Sequence, residues 1–588
     1  MLTSDRSHLD YAKLLREGKR ESPAACRRTE RLAILSDAAV PQLVPLLKAL
    51  LARHGVRGEI YLAEFDSIEL EVFNPESGLY QFAPDTVVIL NSLNALRSKY
   101  HREADARGDF SERIAARTAS VWDAFRNRST AAIVQNTYVL PYERHFGNFD
   151  HKVSEAFYPT VQRLNLAITA LARDRAHVLI NDVDALASYV GRRNWLDERL
   201  WTLAKAFCAL EHLPLVAQNI VDIVLAKAGQ LVKCVVVDLD NTLWGGVIGD
   251  DGLEGIVIGP YGDGEPFHRL QHYLLELKRR GIVLAVCSKN EQATAVEPFR
   301  HHPEMVLREE DFAVFVANWN PKPDNIRHIQ QTLNIGLDSI AFLDDNIFER
   351  QLVRETLPEV IVPELPEDPA DYVRVISELN LFETTSFSDE DRRRADLYRQ
   401  NASRQEIQAG FSDLAEYLRS LDMQVTLKRF DTFHLPRIAQ LIQRSNQFNL
   451  TTRRYSQAEC EAMMIQEGEV LPLYVKLADK FGDNGLISVV ILRIRPPVVE
   501  IDSWLMSCRV LGRGVEQYVM NQVMGIAARQ GCTVVEGCYI PSAKNAMVKD
   551  FYRQFGFERV QAEETGVTRW RLAVSAYQPC EVQMTEAA

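Results

Sequence analysis

Two hydrophobic rhythms alternate along most of the chain. From residue 31 to about 200, short and nearly continuous apolar runs (RLAILS, GEIYLAEF, DTVVILN, AAIVQN, AHVLIND) are separated by stretches of helical period such as PQLVPLLKALLARHG. A strand without a polar face is covered on both sides, so this rhythm predicts a parallel sheet flanked by helices. The rhythm returns from about Leu231 to about Pro366 with KCVVVD, IVLAVC, FAVFVA and SIAFLD. Between about 376 and 418 it gives way to charges at helical spacing, as in SDEDRRRADLYRQNASRQEIQ, which predicts a solvated connecting helix. Beyond Asp422 the character changes. NGLISVVILRIRPPVVEIDSWLMSCRVLGRG reads as two long strands joined by a Pro-containing turn and ending in a glycine loop, followed by the helical VEQYVMNQVMGIAARQG, all in a mixed sheet. The expected division is an N-terminal extension (1–28), α/β domains over 29–225 and 226–375, a charged helical linker (376–418), an α+β domain over 419–576 and a tail (577–588).

Composition narrows the function classes. A chain of 588 residues is too long for one hydrophobic core. Its formal net charge of −13 offers no broad basic field, so no nucleic-acid partner is expected. No apolar run approaches the roughly 20 residues of a membrane span, and the charged start MLTSDRSHLDYAKLLREGKR is unlike a signal peptide. Nine scattered cysteines without a CxxC pair fit reduced thiols. A cytoplasmic protein without membrane contact, disulfide framework or zinc site is expected.

The chemistry lies at strand ends. VVVDLDNTLWGG, residues 235 to 246, carries a buried valine run into Asp238 and Asp240. Burying an unpaired carboxylate costs several kcal/mol, so such a pair needs a cation, a hydrogen-bonding loop or a task. The next strands end at Ser288, Lys322, and Asp344 with Asp345, and in such a sheet ligands gather at the carboxyl ends. An aspartate nucleophile requires a divalent cation to screen it from a phosphate, and neighbouring carboxylates hold that ion. A lysine and a hydroxyl hold the phosphoryl oxygens, and a second aspartate two residues on can protonate the leaving group.

DLDNT, CSKN, NWNPKPDN and FLDDN resemble, in order, the four motifs of the haloacid-dehalogenase (HAD) superfamily. That resemblance implies Asp238 as phosphoryl-accepting nucleophile and Asp240 as general acid/base. It implies Thr242, Ser288, Lys289 and Lys322 as phosphate ligands, and Mg²⁺ on Asp238, Asp344, Asp345 and the backbone carbonyl of Asp240. DLDNTLWGGVIGDDG with FLDDNIFER is similar to the FkbH-like branch, associated with making glyceryl-acyl carrier protein from 1,3-bisphosphoglycerate. Only about 50 residues separate Asp238 from Ser288, too few for a large cap domain.

The preceding domain resembles an SGNH-hydrolase layout, but Asp37 stands in the serine's place, Ser36 is one position early, and Leu200 replaces the histidine. A scaffold without hydrolase activity is expected there. RVLGRG and KNAMVKDFYRQFGFE resemble the R/QxxGxG/A loop and Asn…Tyr…GF ending of GNAT-type acyltransferases. This implies Arg509, Gly512, Arg513, Gly514, Asn545 and Tyr552 as ligands of coenzyme A or of a carrier's phosphopantetheine. Cys508 is a candidate acyl-carrying thiol or a buried strand residue; Cys287 reads as core; Tyr552 is either a proton donor to a thiolate or a core tyrosine. The expected function is transfer of a (phospho)glyceryl group from 1,3-bisphosphoglycerate to a carrier-protein thiol, with phosphate removal. The alternatives are a Mg²⁺ phosphatase of another phosphate with a docking GNAT-like domain, and an acetyl-CoA-dependent acyltransferase with a regulatory HAD unit.

Overall fold

In the two α/β domains the apolar runs become strands of parallel sheets, because a sheet covered on both faces dries both sides of valine and isoleucine. The computed structural model describes residues 9–20, 26, 28–103, 105, 107–408, 411, 413–445, 447–466, 468–542 and 544–587. They fall into two units, one ending at Lys227 and the other beginning at Ala228.

In the first unit, β1 (Arg28–Ser36), β2 (Val56–Leu62), β3 (Thr86–Leu90), β4 (Ala132–Asn136) and β5 (Val178–Asn181) form a parallel sheet in the order β2-β1-β3-β4-β5. The order reverses at β1 and β3, where Asp37 is buried. Its carboxylate accepts from Ser92 N (2.7 Å) and Asn91 Nδ2 (3.2 Å), and burial raises its pKa. Ser36 Oγ is spent on the Ala38 amide at 3.0 Å.

His177, just before β5, is held down to about 4 by burial and by Arg126, and its Nε2 has no partner. A histidine depressed in the fold favours folding above its unfolded value near 6.5 and loses that contribution as pH falls toward 4. Replacing His177 with Gln should therefore flatten the acid loss of thermal stability between those limits. Because the ring is half exposed, the effect is on the order of 1 kcal/mol.

In the second unit, β6 (Cys234–Val237), β7 (Val283–Ser288), β8 (Phe312–Ala317) and β9 (Ile340–Leu343) form a four-stranded parallel sheet in the order β8-β7-β6-β9. Helices α1 (Glu265–Arg279), α2 (Gln292–His301), α3 (Lys322–Leu333) and α4 (Ile347–Thr356) each begin at the carboxyl end of this sheet.

The last sheet is mixed and follows the order β16-β17-β15-β14-β13-β12-β10-β18. Its strands are β10 (Met423–Arg429), β11 (Phe448–Asn449), β12 (Val470–Asp479), β13 (Gly482–Arg495), β14 (Val498–Met506), β15 (Val534–Tyr539), β16 (Glu558–Ala562), β17 (Thr568–Ala573) and β18 (Met584–Glu586), with β11 against β14.

The charged segment departs from expectation. Helix α5 (Asp389–Gln408) forms, but it is packed rather than solvated: Asp391, Ala395, Leu397, Tyr398, Asn401, Ala402 and Arg404 are all buried. Its charges found partners that a pattern of charge alone does not reveal. Arg404 pairs with Asp479 of β12 at 2.7 Å, and Asp391 with Arg444 at 2.6 Å. Gly281, just before β7, lets the helix approach. Its φ is +86°, and a Cβ there would lie 1.9 Å from the Asp391 carbonyl oxygen. Gly281→Val should cost about 2–3 kcal/mol in a denaturant titration, by strain and overpacking together.

Candidate active site

The carboxyl ends of β6 to β9 form a mouth with little over it. Between β6 and α1 the chain makes only a small flap, closed by paired bonds between Gly245 and Val257 (2.9 and 2.8 Å) and carrying one short helix, Ile248–Gly255. The chain from β7 to β8 is spanned by α2 and its short following loop. Neither connection holds a cap domain.

Asp238 follows β6 and Asp344 follows β9, two paired neighbours in the sheet, so their carboxylates converge. Lys322, at the first position of α3, lies between them, with Nζ 3.0 Å from Asp238 Oδ2 and 2.5 Å from Asp344 Oδ2. All three are buried. Two carboxylates against one ammonium leave an excess negative charge. Burial, then Asp238, push Asp344 up to about 7 against the pull of Lys322, and the same two causes raise Asp345. The carboxylates raise Lys322 above the ordinary lysine range despite its burial.

Carboxylate oxygens of Asp238, Asp344 and Asp345 lie within 4.8 Å of one another. Asp238 Oδ1 is buried without a hydrogen-bond partner. Hard oxygen donors in this number, one of them orphaned, suit a small divalent cation.

The Asp240 carboxylate is turned away from that trio. Its Oδ1 accepts from Trp244 Nε1 and the Ile248 amide, both at 3.0 Å, and its Oδ2 from Asn290 Nδ2 at 2.8 Å. Its side chain is thus not arranged as a metal ligand; a metal role for its backbone carbonyl is what the HAD resemblance implies. Three donors fix the position of this carboxylate, as a proton carrier would require. Neither Trp244 nor Asn290 was singled out from sequence, although Asn290 closes CSKN and Trp244 stands four residues after Asp240. Asn290→Ala should lower phosphate-ester turnover about 10–100-fold with a smaller change in KM, because a loosened acid acts mainly in the transition state.

Ser288, buried at the end of β7, accepts from Asn290 Nδ2 at 3.2 Å. Thr242 is fully buried and its hydroxyl is engaged by Asp345, donating to Oδ1 (3.3 Å) and accepting from the Asp345 amide (3.1 Å). Lys289 pairs with Glu349 of α4 at 2.5 Å, on the rim. The structure brings Asp238, Asp240, Ser288, Lys322, Asp344 and Asp345 together, with Thr242 supporting Asp345.

Residues 31–225 match the family described as FkbH, N-terminal domain. A solved structure from Bacteroides fragilis, the N-terminal part of the protein BF1531 containing a phosphatase domain complexed with Mg, is 36% identical, with a TM-score of 0.61. It matches over 100% of its own length and 64% of this chain. The chain belongs to the FkbH-like family of HAD phosphatases. Two acetyltransferase structures match more weakly. The ribosomal-protein-S18-alanine N-acetyltransferase of Escherichia coli has 13% identity, over 26% of this chain and 94% of that one, with a TM-score of 0.21. A spermidine N-acetyltransferase of Vibrio cholerae has 16% identity over 26% and 96%, with a TM-score of 0.21. Nothing about the chemistry of this chain follows from either. Among curated proteins none matches. Among the described residues no helix is long and apolar enough to cross a membrane.

In this FkbH-like chain the second group of expected residues is placed differently from the first. Cys508 is half-buried, with Tyr398 Oη 3.8 Å from its sulfur and its carbonyl accepting from Asn334 Nδ2 at 2.6 Å. Asn334 caps the end of α3, which starts at the carboxyl end of the sheet, and Lys233 precedes β6. The thiol therefore sits at the amino end of the sheet whose carboxyl end holds Asp238. The five residue steps from Lys233 to Asp238 span about 16 Å. Arg509 and Arg513 are buried, and Arg513 reaches Asp479 (3.2 Å) and the Arg509 carbonyl (2.7 Å). Gly512 and Gly514 have φ of +73° and +85°, the left-handed conformations that open the first turn of α6 (Val515–Arg529). Asn545 is fully buried among backbone groups. Tyr552 is fully buried with an unpartnered hydroxyl, against Gly537; it is a core tyrosine, closed to an incoming thiolate. Cys287 is also core, its thiol pushed up by burial.

Proposed function

We propose that this chain transfers a (phospho)glyceryl group from 1,3-bisphosphoglycerate to the phosphopantetheine thiol of an acyl carrier protein and removes the phosphate, giving glyceryl-acyl carrier protein for polyketide-type biosynthesis. The observation that carries the phosphate step is the buried, unpartnered Oδ1 of Asp238 beside Lys322, at a mouth without a cap. Asp238 attacks phosphorus while the ester bond breaks, and the leaving oxygen takes the proton of Asp240. Water then attacks the aspartyl phosphate, returning a proton to Asp240 and freeing Asp238. Lys322 and Ser288 hold the phosphoryl oxygens. Asp238, Asp344, Asp345 and the Asp240 carbonyl would hold Mg²⁺, which when bound offsets the charge of phosphate and carboxylates.

An uncapped mouth suits a phosphate presented on a carrier's arm. The acyl phosphate of the donor is already activated: a thiol attacks its carbonyl carbon, phosphate leaves, and no ATP is consumed. The first unit, SGNH-like in layout, acts in this reading as a scaffold, since Asp37 is buried and hydrogen-bonded where a nucleophilic serine would stand. The GNAT-like domain joins the phosphatase sheet through α5. The distance between Cys508 and Asp238 favours one second reading, a Mg²⁺-dependent phosphatase of another carrier-bound or small phosphate.

Intact-protein mass spectrometry separates the two. With 1,3-bisphosphoglycerate, Mg²⁺ and a holo carrier protein, the proposal expects a carrier heavier by a glyceryl group. Phosphate release with an unmodified carrier would sink it in favour of the second reading.

A further inference from the structure

β14 and β15 pair in parallel only over Val498–Ile501 and Val534–Gly537. Beyond that they part, while β13 stays on the other edge of β14 as far as Met506. The parted edge, Asp502 to Met506, is a row of backbone donors and acceptors leading to the loop Arg509–Gly514 and the start of α6. A pantetheine arm, with its two amides, would lie there as an added strand, its diphosphate against the loop and the helix N-terminus.

The chain itself takes both places. β11 lies antiparallel along that edge, Phe448 opposite Met506 and Asn449 opposite Leu505. The Leu450 amide donates to the Trp504 carbonyl (3.0 Å) and its carbonyl accepts from the Ile540 amide (2.9 Å), so one residue bridges the two parted strands. Thr451 Oγ1 and Arg453 Nη1 both donate to the Asp502 carbonyl at 3.2 Å. Asn545 closes the seam, donating to the Asn449 and Ile540 carbonyls, each at 2.9 Å. At the loop, the Gly512 amide donates to Glu516 Oε1 at 3.1 Å, and Glu516 Oε2 is buried without a partner. Arg513, expected to meet a diphosphate, is turned inward to Asp479 and Asn401.

We infer that the C-terminal domain of this chain accepts neither coenzyme A nor a pantetheine arm in the slot of its fold, because residues 448–453 occupy the arm's place and Glu516 the diphosphate's. Its acyltransferase-like shape serves to clamp α5 and to hold Cys508 against the phosphatase sheet. This does not rest on the glyceryl-transfer proposal, since an arm that reaches Asp238 enters at the other end of the sheet.

The test uses the full-length wild-type chain, with coenzyme A and acetyl-coenzyme A as probes. Calorimetric titration to about 1 mM should give no saturable heat, whereas saturable binding tighter than about 100 µM would overturn the inference. Amide hydrogen exchange gives an independent readout. The Leu450 and Ile540 amides should exchange slowly and equally with and without acetyl-coenzyme A. A change at either amide on adding it would mean that the arm enters and displaces the segment. Carrier loading by 1,3-bisphosphoglycerate, measured on the same preparation, can fail or succeed without altering either result.

Discussion

Replacing Asp238 with asparagine should reduce phosphate release by at least about 10³-fold while leaving the fold intact. The amide is nearly isosteric, so the packing at the end of β6 is preserved. What is lost is the nucleophilic oxygen, now buried and unpartnered, together with one of the three carboxylates positioned for a cation. Lys322 keeps Asp344 at 2.5 Å, so no buried ammonium is stranded. A phosphate-release assay with a chromogenic ester gives the rate, and circular dichroism checks the fold. With 1,3-bisphosphoglycerate and a holo carrier, the variant should accumulate a carrier one phosphate heavier than glyceryl-carrier. A wild-type rate of release would remove Asp238 from the mechanism. An unloaded carrier with an intact fold would instead make the acyl step depend on the same aspartate.

The second large effect concerns stability. Lys322→Met removes the ammonium that lies between two buried carboxylates and leaves Asp238 and Asp344 facing each other without compensation. Breaking a buried pair from one side typically costs about 3–5 kcal/mol. The variant should show that loss in denaturant unfolding without metal. Millimolar Mg²⁺ should recover more stability in the variant than in the wild type, because the ion then replaces the positive charge lost between the carboxylates. If the variant were as stable as the wild type in metal-free buffer, the charge balance drawn here would be wrong.

The phosphatase site was legible because its residues follow directly from strand ends. Once KCVVVD and SIAFLD are read as parallel neighbours, Asp238 and Asp344 must meet, and the four strands do form as expected. Trp244 and Asn290 were missed because their role is to hold Asp240, and a hydrogen bond to a carboxylate leaves no periodicity in the chain. The C-terminal loop shows the opposite failure. Its glycines adopt the positive φ that the motif implies, yet what lies along β14 comes from residues 448–453, about 55 residues away. No local pattern announces that pairing. Helix α5 was misread for a related reason: charge at helical spacing describes a solvated face only when no opposite charge waits in another element, and Asp479 and Arg444 do.

The four helices that begin at the phosphatase mouth bear on how a substrate arrives. The chain as a whole carries a formal charge of −13 and so repels a phosphate anion at long range. The amino ends of α1 to α4 and Lys322, with a divalent cation offsetting the three carboxylates, would attract it only within the last few ångströms. Added salt shortens the Debye length to about 10 Å at 0.1 M, which weakens the distant repulsion more than the attraction inside the mouth. Association should consequently quicken as ionic strength rises from near zero, the reverse of an enzyme whose whole surface draws its substrate in.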